Sequence, residues 1–198
     1  MQQTQKRHSP PGRIKIIRAL RALLEEKNFS AITTSEIAGT AGVTEALIYK
    51  YFRDKRDLLY EVLRQHFSRL WDQVQLDLKG IEGALNKLRK IIWANLYIYA
   101  NHKVFARIII LEVRNSPDYF QSEAHLLERK YNRMIMDIIQ EGIENGEIRG
   151  DITPGFIRSA IHGSIENVSL QRIIYNRELS SEEITENICK IIFKGIAN

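Results

Sequence analysis

The sequence predicts an all-α chain of about nine helices, a small three-helix head at the N-terminus followed by a helical body. Apolar residues recur at three- and four-residue steps along nearly the whole of its 198 residues, which is the period of a helix with one buried face. The four prolines stand at the starts of those runs or in loops between them, where a helix tolerates them. Neither a repeating unit nor a low-complexity tract competes with that signal, and no stretch reads convincingly as a strand.

After Pro10 and Pro11, Ile14, Ile17, Leu20 and Leu24 define a first helix over about 13–27, broken by Asn28 and Phe29. Thr33 followed by Glu36 has the spacing of a capping box and opens a short second helix ending at Ala41. Gly42 stops it, because glycine adopts the left-handed conformation of a C-terminal cap without steric cost. A third helix runs from Thr44 to near Phe52. Asp54 caps a much longer fourth helix, whose stripe is Leu59, Val62, Leu63, Phe67, Leu70, Val74 and Leu78. At about 1.5 Å per residue it spans roughly 35 Å. Further periodic segments cover about 81–100, 103–113, 122–145, 154–175 and 181–196. They are punctuated by Pro117, by Asn145-Gly146, by Thr153-Pro154, and by Ser180 or Ser181 ahead of Glu183. The expected domains are a head over 1–54 and a body over 55–198.

The formal charge of +5 is unevenly placed. Residues 1–60 hold 11 Lys and Arg against 6 acids, a net +5, while the rest holds 18 of each. A basic head on a neutral body suits a polyanion, although a soluble basic surface has the same arithmetic. No run is long and apolar enough to cross a bilayer, and the polar first eleven residues lack a signal-peptide core, so a cytoplasmic protein without membrane partners is expected. The lone Cys189 offers neither an internal disulfide nor a zinc cluster and reads as a small buried residue. Nucleophile elbow, Walker loop and zinc-helix motifs are all missing. The five histidines are far apart in sequence, so neither an enzyme nor a cofactor is expected.

Residues 34–52 have what a helix-turn-helix requires. Ala38 is small where two helices cross, Gly42 turns the chain, and Ile37, Val43 and Ile48 fill a shared miniature core. In that arrangement the second helix enters the major groove. The run 33–59, with Ile37-Ala38, Ala41-Gly42-Val43-Thr44, Ile48-Tyr49, Tyr51-Phe52 and Lys55 ahead of Leu58-Leu59, resembles the DNA-binding head of the tetracycline-repressor-like (TetR) family. The resemblance implies that Thr33 and Thr34 reach a phosphate, or merely cap their helix. Thr44, Glu45, Ala46 and Lys50 are the implied readers of base edges, a solvated face being the alternative for Glu45 and Lys50. Tyr49, Tyr51 and Lys55 match positions that hold the DNA backbone, with a core role as the alternative for Tyr51. Glu45 and Ala46 depart from the commoner basic or polar residue followed by glycine.

The resemblance further implies a homodimer on a palindromic double-stranded operator, its interface a four-helix bundle from the last two helices of each subunit. The residues put forward for pairing are Ile157, Ala160, Ile161, Ser164, Ile165 and Val168 on one helix. Ile184, Ile188, Ile191 and Ile192 serve on the other, with internal core as the alternative for the stripe. For a small apolar effector with one polar end the candidate lining is Trp93, Tyr97, Phe105, Ile109 and Glu112, with Tyr131 and Met134, against ordinary core packing. The segment 141–149 is similar to family members that respond to fatty-acyl thioesters. The expected function is a DNA-binding transcriptional regulator, most simply a repressor released by its effector. An activating or architectural DNA-binding protein without an effector is the alternative.

Overall fold

A computed structural model describes residues 10–175 and 177–197. Nine α-helices and no strand are found among them: α1 Pro11–Glu26, α2 Thr34–Ala41, α3 Glu45–Tyr51, α4 Lys55–Asp77, α5 Ala84–Asn101, α6 Lys103–Arg107, α7 Glu123–Glu144, α8 Pro154–Ile174 and α9 Ser181–Ile196. Single 3-10 turns at Phe29–Ala31 and Pro117–Gln121, and a π-helical continuation of α6 over Ile108–Val113, were not legible in the apolar period. The chain divides into two compact units inside α4, up to Gln65 and from His66 onward.

In the first unit Ile16, Leu20 and Leu24 of α1 are buried with Ile37 of α2, Ile48 of α3, and Leu58, Leu59 and Leu63 of α4. Each short helix depends on this shared core, since isolated helices of seven or eight residues are not stable in water. The Thr33 hydroxyl caps α2 by accepting from the Glu36 amide at 3.1 Å. The return half of the capping box is not made, because the Glu36 carboxylate pairs with Lys27 instead. Gly42 has φ +62°, and Val43 N–H donates to the Ala38 carbonyl at 3.0 Å across the turn. Asp54 Oδ1 accepts from the Asp57 amide at 2.8 Å, capping α4.

In the second unit α5, α7, α8 and α9 enclose a core rich in isoleucine. Ile157, Ile161, Ile165, Ile184 and Ile188 lie in it, each at most 6% exposed. They correct the expected pairing surface, because a side chain already withdrawn from water has almost no area left to give a partner. Cys189 is buried in the same core.

The segment 141–149 is explained by this packing. A Cβ on Gly142 would lie 2.6 Å from the Ala84 Cβ, so only glycine lets α7 approach α5 there. Gly146 ends the helix at φ +75°. The Glu147 carboxylate then accepts from the Ala84 and Leu85 amides at 2.6 and 3.0 Å, serving as a distant cap for α5. Ile148 is buried and pairs with Ala197 in an isolated bridge.

Candidate nucleic-acid interface and body cavity

In the first unit α3 is held by Ile48, fully buried, and by the half-buried Leu47 and Tyr51. The opposite face of α3 carries Thr44, Glu45, Ala46, Tyr49 and Lys50, all exposed, with Tyr49 55% accessible. Ala38, 4% exposed, keeps α2 close beneath it. The result is a short helix whose outer surface is polar and aromatic and whose inner surface is fixed, a shape able to enter a major groove about 12 Å wide. Thr33 is exposed and Thr34 half-buried at the start of α2.

One of the expected DNA contacts, Lys55, is turned inward, and a second, Glu45, is exposed but bonded to the neighbouring helix. The Lys55 ammonium donates to the Phe29 carbonyl at 2.9 Å and to the Ile32 carbonyl, and it sits 4.4 Å from the centre of the Phe29 ring. The Phe29 carbonyl already accepts from the Ile32 amide at 3.2 Å, so the ammonium adds a second bond to that turn between α1 and α2, fastens the start of α4 to it, and does not face solvent as a phosphate contact would. Glu45 accepts from the Thr34 hydroxyl at 3.0 Å, tying the start of α3 to the start of α2. Its carboxylate is thereby partly satisfied within the protein. Tyr51 is half-buried, and Lys50 approaches its ring at 6.0 Å. Arg18 and Arg56, exposed cations of the same unit, are not among the residues that the resemblance implies.

Behind the exposed face, Glu61 gathers Arg13, Arg64 and Gln65. Arg64 Nε and Nη2 donate at 2.8 Å each, Gln65 at 2.9 Å, and Arg13 lies 3.2 Å away. Burial by itself would raise the Glu61 carboxyl. The bonds from Arg64 and Gln65, with Arg13, together outweigh it and hold the group at about 2.

The second unit contains a cavity of about 100 Å³. Phe67, Leu70, Trp71 and Val74 of α4 form one wall, and Asn95, Ile98 and Tyr99 of α5 another. Leu127, Glu128, Tyr131 and Asn132 come from α7, His162 and Glu166 from α8, with Ile109 and Arg114 between. Arg114 and Glu166 form a two-bond ion pair, one of its N–O distances 2.8 Å. The guanidinium beside it holds the Glu166 carboxyl below its ordinary value, against the cost of burial. Burial, with the Arg158 charge, lowers the His162 imidazole, which is therefore neutral near pH 7. Burial also raises the Tyr99 and Tyr131 hydroxyls, keeping both protonated.

Of the residues put forward for an effector, Ile109 and Tyr131 line this cavity. The others do not. Trp93 stacks on Tyr97 at 5.0 Å and donates to Glu182 at 3.2 Å, away from the cavity lining. Phe105 stacks on His66 at 4.2 Å. Glu112 is half-buried outside the lining, and Met134 packs against the isoleucine core. A segment rich in aromatic residues identifies a helix with much to bury, but not which of its faces meets a void. Trp71, His162 and the Arg114–Glu166 pair were missed because they lie on three separate stretches of sequence brought together only by packing.

A family model for bacterial regulatory proteins of the tetR family matches residues 16–62, and one for the C-terminal region of YsiA-like protein matches 53–195. The chain is 25% identical to the fatty acid metabolism regulator protein of Bacillus subtilis over 188 residues, covering 95% of this chain and 97% of that one. It is 23% identical to the transcriptional repressor KstR2 of Mycolicibacterium smegmatis, covering 93% and 90%. Among solved structures, the Bacillus subtilis regulator FadR in complex with stearoyl-CoA superposes with a TM-score of 0.81 at 23% identity, covering 92% of this chain and 98% of that chain. At that identity the superposition establishes the fold.

Proposed function

Because the chain belongs to the tetR family of bacterial regulatory proteins, and so is a DNA-binding transcriptional regulator, we propose that it acts in the cytoplasm as a homodimeric repressor. In this reading it leaves a palindromic operator when a small apolar effector, of the fatty-acyl thioester class, enters the body. One observation carries the reading. A single helix, α4, buries Leu58, Leu59, Val62 and Leu63 in the first unit and lends Phe67, Leu70, Trp71 and Val74 to the cavity wall in the second. About 100 Å³ is less than the 150 Å³ or so that admits a benzene ring in an apolar site, so an acyl chain enters only by displacing a wall. Displacing the α4 wall moves a helix whose other half is part of the DNA-binding unit. The ligand thereby favours one arrangement of α4 over another, which is all that coupling between two sites requires.

Thr44, Ala46, Tyr49 and Lys50 are the proposed groove-facing residues, with Thr33 at the phosphate-facing end of α2. Pairing uses the outer faces of α8 and α9, where Phe156 and Ile191 are 70% and 77% exposed and Ala160 and Gly163 allow close helix approach. Val168, Ser164 and Ile192, half-buried, flank that surface. Selecting bound duplexes from a random pool and then adding palmitoyl-CoA tests both halves of the reading. Enrichment of one palindrome, bound by a dimer and released by micromolar thioester, is expected. Sequence-independent binding that no acyl thioester relieves would overturn it.

A further inference from the structure

The charges around the cavity are already committed. Arg114, the cation among the described residues lining it, directs both terminal nitrogens at the Glu166 carboxylate. Glu128 contributes a second carboxylate, which accepts from the Tyr119 hydroxyl at 2.9 Å and lies 3.3 Å from His125 Nδ1. With His162 neutral, the formal charge of Arg114, Glu128 and Glu166 is −1.

The uncommitted polar atoms are neutral. His162 Nε2 is buried and has no hydrogen-bond partner among the described residues. The Tyr131 hydroxyl accepts from Asn95 Nδ2 at 2.7 Å and keeps its own proton to donate. The side chain of Asn132, at the same wall, makes no hydrogen bond to any described residue. These groups can solvate a carbonyl or hydroxyl oxygen set among Phe67, Leu70, Trp71 and Ile98. They offer no spare cation for a carboxylate, and burying a charge without a counter-ion is far more costly than burying a hydrogen-bonded neutral oxygen.

Resting on the reading of the body as an effector-binding unit, we propose that the cavity selects ligands whose buried polar end is an uncharged oxygen function, an ester, thioester, ketone or alcohol, and rejects the free carboxylate of equal chain length. The ion pair makes the selection. Glu166 neutralises Arg114 in advance, and a carboxylate ligand must either displace it or lie unpaired beside two acids.

The test is calorimetric titration of the full chain at pH 8 with octan-1-ol, methyl octanoate and sodium octanoate, repeated on Glu166→Gln. For the natural sequence the alcohol and ester bind at least about tenfold more tightly than octanoate. In Glu166→Gln the freed guanidinium improves octanoate binding about tenfold relative to octan-1-ol. Octanoate binding the natural sequence as tightly as octan-1-ol overturns the selection, and so does a folded Glu166→Gln with no gain for octanoate. If that variant does not fold, the ratio in the natural sequence decides alone. Failure of all three probes to bind, while the dimer still holds its selected DNA, overturns the effector reading itself, a result distinct from binding without preference.

Discussion

The two units are built from the same material, amphipathic helices closing over aliphatic cores, yet they keep their functional groups in opposite places. In the first unit Ile37, Ala38 and Ile48 face inward so that Thr44, Ala46, Tyr49 and Lys50 stand outward on a fixed helix. In the second, Trp71, Tyr131, His162 and Glu166 face a cavity, and the outer surface of α8 and α9 is left with Phe156 and Ile191. A polyanion is met on a convex surface by groups that remain solvated. An apolar molecule is met in a concavity whose polar groups must be satisfied in pairs. The difference teaches where each unit is vulnerable, the head in its scaffold and fastenings, the body in its cavity wall and core.

The sharpest way to break that contrast is at the residues that change sides. Ile161→Ala empties a fully buried site and is expected to cost about 2–4 kcal/mol in denaturant unfolding, where an interface residue would leave the unfolding of a dissociated subunit unchanged. Ile191→Asp is the converse, expected to shift light scattering from dimer to monomer with less than about 0.5 kcal/mol lost from the subunit. Lys55→Met removes an ammonium shared by two carbonyls and should destabilise the first unit by about 1–3 kcal/mol. Because Lys55 faces inward, it should leave the slope of DNA affinity against salt unchanged, whereas Arg56→Ala should reduce that slope by about one. A reduced slope for Lys55→Met would restore it to the phosphate contacts.

The acid response is smaller. Glu61 is held at about 2, below the ordinary carboxylate, so its bonds stabilise the first unit fully above about pH 4.5 and are lost as pH falls toward 2. The loss is on the order of 1–2 kcal/mol after solvent screening. Glu61→Gln should flatten the dependence of stability on pH in that window. The least effect is expected of Glu45→Ala, which removes an exposed bond to Thr34 worth well under about 1 kcal/mol. Its signature is a changed base preference in selected DNA with thermal stability intact.

Head and body also differed in how much their sequences disclosed. In the head local chemistry decides the outcome. Thr33, Gly42 and Asp54 act within a turn of where they stand, and the cap hydrogen bonds and the left-handed Gly42 follow from them directly. In the body the helix limits were legible from the same signals, Thr153 and Ser180 capping α8 and α9. The faces were not. Period fixes which residues share a side of a helix but not whether that side meets the subunit's own core, a void or another molecule. Ile157 and Phe156 are neighbours in sequence, one buried and the other 70% exposed. For the same reason the aromatic run 91–112 pointed to a pocket of which Ile109 is a wall and Trp93 is not. The direction of Lys55 was not legible either, because a lysine near a DNA-binding helix looks the same in sequence whether its ammonium meets a phosphate or a carbonyl.

The claim on which the rest depends is that the ligand acts on DNA affinity through α4. Trp71 and Trp93 are the two tryptophans, and Trp71 lies on α4 in the cavity wall, so Trp93→Phe leaves one reporter where the coupling is proposed to begin. Titrating palmitoyl-CoA into that variant bound to dye-labelled operator follows Trp71 emission and DNA anisotropy together. Both are expected to change over the same ligand concentrations with coincident midpoints. Release of DNA with Trp71 emission unmoved, or a Trp71 response that saturates while the DNA stays bound, would contradict it.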